Sequence, residues 1–228
     1  MTGLGGYLIY LAFIILIPIW AQYKVKSTYK KYSKVYNHSH MTGAQVARKI
    51  LDDNGLQHVN VEEVRGKLSD HYDPRKKVVR LSTGNYHEPS AAAQAVAAHE
   101  VGHAIQDAEE YAFLKFRSTL VPVASLGSNM SIFIIIAGIL FSSANLLLLG
   151  IVFMAFAVLF QFVTLPVEFD ASNRAMNQLV SSGIINNNEE RQTKKVLNAA
   201  ALTYVAAALV ALLELLRFVL IFVGMNED

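Results

Sequence analysis

Leu120 to Leu140 reads LVPVASLGSNMSIFIIIAGIL and Ala144 to Thr164 reads ANLLLLGIVFMAFAVLFQFVT, two uncharged runs parted only by Phe141, Ser142 and Ser143. A helix needs about 20 apolar residues to cross a hydrocarbon core, so the pair predicts a tight transmembrane hairpin. Further out, Gly3 to Trp20 is a third uncharged run. No basic stretch precedes it and no small-x-small site follows at Ile19, Trp20, Ala21 and Gln22, which reads as an uncleaved anchor rather than a signal peptide. A fourth run, Ala199 to Val223, is also long enough, and its Glu214 and Arg217 lie three apart on one helical face, where they can pair. The hydrophobic share of 53% and mean hydropathy of +0.33 exceed what one water-facing core uses. The expected class is a mainly α integral membrane protein with about four transmembrane helices.

Charge sets the orientation. Lys24, Lys26, Lys30, Lys31 and Lys34 crowd behind the first run, the hairpin turn carries no charge, and the chain ends in Glu227 and Asp228. Because cytoplasmic flanks retain lysine and arginine, the expected order is an anchor over residues 1–22, a cytoplasmic segment over 23–118 and a transmembrane hairpin over 119–164. A second cytoplasmic segment, 165–198, and a last helix with its tail, 199–228, complete the chain. The net charge of +2 is small and dispersed, which speaks against a nucleic-acid partner. With no cysteine, a disulfide framework, a thiolate metal site and a cysteine nucleophile are all excluded.

The larger cytoplasmic segment carries the signals of a small α/β piece. Thr42 suits the N-cap of a helix through about Asn54, stopped by Gly55. Val59 and Val61 alternate with polar neighbours as in a short strand, and Val78 to Ser82 suggests another. Ser90 can cap an alanine-rich helix running through about Ala108.

That helix contains His99, Glu100, Val101, Gly102 and His103, an H-E-x-x-H pattern. The i, i+4 spacing puts both imidazoles on one face, where two nitrogens can reach a single zinc ion. Glu100 beside them can take a proton from a water at the open zinc position and pass it to a leaving amine. The plainer alternative is a set of surface polar residues on an amphipathic helix. Ala95, Val96, Ala98, Val101, Gly102, Ala104 and Ile105 leave almost no polar face for that, and two histidines and a glutamate in a buried helix need a partner such as a metal.

A catalytic zinc takes three protein ligands and leaves one position open. Glu168 is the candidate third ligand. Pro166 suits a kink or a new helix start, and in a helix to about Ser182 Glu168 shares an inward face with Ala171, Ser172, Ala175 and Leu179. Asp170 falls instead beside Arg174, where an i, i+4 ion pair is its plainest role, so Glu168 is favoured. The hairpin returns the chain to the side it left, so both halves of the site can meet.

The run Val96 to Ala104, with Glu168 to Arg174 after a hydrophobic hairpin, resembles the YugP-like neutral zinc metallopeptidases of bacterial membranes. The resemblance covers nearly the whole chain, including Asp70 to Pro74 and Val78 to Ser82. More distantly the chain is similar to the gluzincin membrane proteases of the HtpX and CAAX-prenyl type. That likeness implies a small α/β cytoplasmic gluzincin-like zinc-peptidase core, one zinc ion per chain on His99, His103 and Glu168, and Glu100 as general base. Those relatives commonly place an aspartate four residues after the third ligand, where this chain has Ser172, so what orients a ligand histidine here is open. In gluzincins the strand ahead of the metal helix binds substrate by β-addition, a role open to Val78 to Ser82, although an ordinary core strand reads the same. His71 and Tyr72 could stabilise an oxyanion, or could simply form a turn with Asp70, Asp73 and Pro74. Ser172 and Arg174 are further candidates for supporting the site. His38, His40, His58 and His87 read as surface residues.

The functional expectation is a membrane-embedded zinc endopeptidase at the cytoplasmic membrane surface, its partners the lipid bilayer and a peptide or membrane-protein substrate. The alternatives are a catalytically silent zinc-binding scaffold and a transporter using Glu214 and Arg217.

Overall fold

The structure is a computed structural model that describes residues 3–225. Glu227 and Asp228, used above for orientation, lie outside the described residues. The chain divides into two compact units. The first takes its described residues from Met1–Ala21, Lys115–Pro166 and Thr203–Asp228, and the second comprises Gln22–Leu114 and Val167–Leu202.

Among the described residues, four helices are long and apolar enough to cross a membrane: α1 (Leu4–Tyr32), α5 (Ala112–Leu140), α6 (Ala144–Ser181) and α7 (Asn187–Met225). Their apolar stretches form the first unit. The α5–α6 turn closes where the Ser143 amide donates to the Gly138 carbonyl at 2.8 Å, with Ser142 in the left-handed region at φ 49°. Small residues let this hairpin pack at backbone distance, since a Cβ at Gly138 would stand 2.6 Å from the Leu147 amide nitrogen. Ile135, Leu147, Ile151 and Phe218 form the buried cluster of this unit. Two of its charges, Glu214 and Arg217, lie near each other. Arg217 lies 3.7 Å from Glu214, and its guanidinium sits 5.2 Å from the Tyr10 ring centre and 4.4 Å from that of Phe218.

In the second unit, α2 (Gly43–Asp53) begins at a reciprocal capping box between Thr42 and Gln45 and ends ahead of Gly55 at φ 72°. Three strands follow: β1 (Asn60–Val64), β2 (His71–Asp73) and β3 (Val78–Ser82). The order is β1-β3-β2, with β1 parallel to β3 in the register Asn60↔Val78 and β2 antiparallel to it in the register His71↔Arg80. A short α3 (Thr83–His87) leads to α4 (Ala91–Ala108), capped by the Ser90 hydroxyl on the Ala93 amide. Val46, Ile50 and Leu51 of α2, Val79 and Leu81 of β3, Ala95, Ala98 and Val101 of α4 and Ala175 and Leu179 of α6 make one core. His38, His40, His58 and His87 are exposed, as expected.

Three expectations are narrowed or corrected. Of the two readings of Val78 to Ser82, the core strand fits: β3 is the central strand, paired with β1 along its length and with β2 over Val78 to Arg80. Pro166 starts no new helix: α6 runs through it without interruption, because the buried row Val167, Ala171, Ala175 and Leu179 continues beyond the missing N–H. The last helix begins well before Ala199. Its N-terminus is fixed at Asn186, whose side chain accepts from the Glu189 amide at 3.1 Å while Glu189 accepts from the Asn186 amide at 3.1 Å.

Candidate metal centre

The site lies wholly within the second unit, between α4 and the segment of α6 after Pro166. Their approach depends on Gly102. A Cβ there would stand 2.5 Å from the Ala171 carbonyl oxygen, so only glycine lets the two backbones meet at this point. One turn of α4 carries both imidazoles, their ring centres 4.8 Å apart and their planes at 81°. Glu168, 4% exposed, faces them with its Oε2 at 3.3 Å from His99 Nε2 and 3.6 Å from His103 Nε2. One ligand atom from each of the three lies within 4.8 Å of the others.

This donor set fits a zinc ion. Ligand atoms held about 2.0–2.1 Å from one tetrahedral centre stand roughly 3.3–3.4 Å from each other, close to the two spacings from Glu168. Both Nδ1 atoms face other partners, which leaves the Nε2 atoms turned toward the carboxylate. His99 Nδ1 lies 3.2 Å from the Ser172 hydroxyl, and His103 Nδ1 lies 3.0 Å from Gln106 Oε1. Asp170 stands outside the group. Its carboxylate accepts from Arg174 Nε and from Gln106 Nε2, as the expected ion pair with Arg174 requires. Arg174 also donates to Glu109 at 2.6 Å and lies 5.8 Å from the Tyr111 ring centre.

Glu100 is buried beside the group, and burial pushes its carboxyl up to about 7. Negative charge at Asp70 and Glu168 adds to the rise, while His99 and the Tyr72 backbone N–H, which donates to Glu100, oppose it. The Tyr72 side chain turns elsewhere. Its hydroxyl donates to Asp107 at 2.7 Å, and burial and that bond push it well above the usual phenol range. The exposed His71 ring is engaged with the Ser69 carbonyl at 2.9 Å and with Arg80 at 3.4 Å. The structure therefore brings His99, His103, Glu168, Ser172 and, through Asp170, Arg174 into one network, and Tyr72 enters through its amide rather than its ring. Sequence reasoning passed over Gln106, a fully buried residue touching His103, although its i, i+3 spacing from that histidine was a usable signal.

Comparison with known proteins bears on the same residues. A family described as "Putative neutral zinc metallopeptidase" matches residues 7–223. The chain belongs to that family. It is also 54% identical over 212 residues to a protein of Bacillus subtilis (strain 168) named "Putative membrane protease YugP", covering 93% of this chain and 94% of the relative. No solved structure matches. Membership, the relative's name and the four apolar helices together make this a membrane protein of a zinc-peptidase family, in which His99, His103 and Glu168 could hold the metal.

Proposed function

We propose that this chain is a membrane-embedded, multi-pass zinc endopeptidase with a gluzincin-like core, holding one zinc ion per chain on His99, His103 and Glu168. The observation that carries the proposal is the convergence of those three ligand atoms within 4.8 Å, with the buried Glu100 adjoining them. Bound there, zinc would polarise the scissile carbonyl and make an attacking water more acidic. Glu100 acts as general base, taking a proton from water as the water oxygen bonds to the carbonyl carbon. The same proton then passes from Glu100 to the amide nitrogen as the C–N bond breaks, so the products are a carboxylic acid and a free amine. The lysines from Lys24 to Lys34 support a site facing the cytoplasm. Residues 23–118 and 165–198 are the water-exposed parts, and the partners are the bilayer and a peptide or membrane-protein segment, with no nucleic acid.

Glu100→Gln tests this directly in protein reconstituted into nanodiscs with fluorescein-labelled casein as substrate. The variant should keep its zinc and lose cleavage by about 10²–10⁴-fold. Zinc retained with no cleavage by either form would favour the scaffold reading. Equal cleavage by both forms would remove Glu100 from the mechanism. The transporter reading predicts dependence on Glu214 instead, so unchanged function in Glu214→Gln would count against it.

A further inference from the structure

Gln106 is fully buried and has three polar neighbours, two of which dictate how its amide is turned. Its Nε2 lies 2.8 Å from the Val167 carbonyl oxygen and 2.8 Å from Asp170 Oδ2. Neither neighbour has a hydrogen to give: one is a backbone carbonyl, and the other is a carboxylate paired with Arg174. Turning the amide over would set three oxygens together in a buried site with no proton among them, which is costly. The nitrogen therefore belongs where it stands, both of its hydrogens are used, and Oε1 is the atom offered to His103. A carbonyl oxygen only accepts. His103 Nδ1, 3.0 Å away, must then be the donor.

A neutral imidazole with its hydrogen on Nδ1 has a bare lone pair on Nε2, the atom that faces Glu168 at 3.6 Å. We propose that Gln106 is a positioning residue that keeps a hydrogen on His103 Nδ1, so that Nε2, the nitrogen turned to Glu168, is the one left for the metal. Val167 and Asp170 hold the amide in register, and Arg174 holds Asp170. The inference rests on the zinc-site reading above, yet the tautomer itself is a property of the metal-free chain.

The experiment uses the full chain in nanodiscs, metal-free, with ¹⁵N-labelled histidine. Magic-angle-spinning spectra are recorded at a pH that keeps the imidazoles neutral, and His103 is assigned by difference from His103→Ala. In the native protein His103 should appear as the Nδ1–H form. Gln106→Leu should lose that preference and weaken zinc binding, read by competition with a chelator, by about 10–100-fold. Gln106→Glu, which must take a proton among those oxygens, presents its carbonyl oxygen to Nδ1 and one O–H to Asp170, so it should keep the tautomer and more of the zinc affinity than Gln106→Leu. A merely structural glutamine would leave the two variants alike. The proposal is overturned if native His103 carries its hydrogen on Nε2, or if the two variants show equal tautomer and zinc behaviour. Should Gln106→Leu fail to fold, the native spectrum and Gln106→Glu still decide the matter. If the native protein binds no zinc, the zinc-site reading fails, while the tautomer measurement stands or falls separately.

Discussion

His99 and His103 sit one turn apart on one helix with nearly equal side-chain exposure, 13% and 12%, yet different things stand behind them. Behind His103 is an enclosed amide whose two hydrogens are spent on a backbone carbonyl and an ion-paired carboxylate. Behind His99 is the single hydroxyl of Ser172, which can donate or accept. Ser172 also lines a cavity of 390 Å³ with Asn177, Arg191 and Lys194, so water can compete for it. One imidazole is therefore dictated by its surroundings and the other is adjustable. The contrast teaches that orientation of a metal ligand comes from neighbours whose own donor or acceptor state is already settled.

The contrast can be broken or sharpened by substitution. Glu168 serves both imidazoles, whereas Asp170 stands behind His103 alone. Glu168→Ala should abolish stoichiometric zinc in the purified protein, while Asp170→Ala should weaken zinc by about tenfold and leave it measurable. Zinc lost only from Asp170→Ala would show that the wrong carboxylate has been named. Gly102→Ala should damage both corners at once, since its methyl group would press on the Ala171 carbonyl and drive α4 from α6. A loss of about 1–3 kcal/mol in thermal stability with a marked fall in zinc content is expected, and a native unfolding temperature would contradict the close approach. The smallest effect falls on the adjustable corner. Ser172→Ala should change zinc affinity by less than about tenfold, well short of Gln106→Leu, because water can replace a hydroxyl in that position; a larger loss would put both histidines on the same footing.

Much of this arrangement was legible from residues alone. Uncharged runs marked the long apolar helices, and Thr42, Gly55 and Ser90 marked helix ends, because these depend on composition and local backbone chemistry. The imidazole pair and its carboxylate followed from helical spacing and from a buried face. What was missed was non-local or weakly signalled. The three residues of β2 looked like a turn because so short a strand exists only through its pairing with β3. The central place of β3 is a property of the sheet rather than of Val78 to Ser82. The start of α7 was written in Asn186 and Glu189, but attention to hydropathy drew the boundary at the apolar run instead. Gln106 was overlooked because an uncharged amide in an alanine-rich helix carries no pattern until its partners are known.

The helix α4 has buried residues facing every direction, among them Ala91, Ala92, Ala95, Ala97, Ala98 and Ala104. Such an element cannot swing, slide or rotate without opening voids on one side and collisions on the other, since interiors are packed to crystal-like density. The imidazole pair is thus part of the masonry of its unit. A displacement at the site would therefore be expected in the elements around α4 before the helix that bears the two histidines.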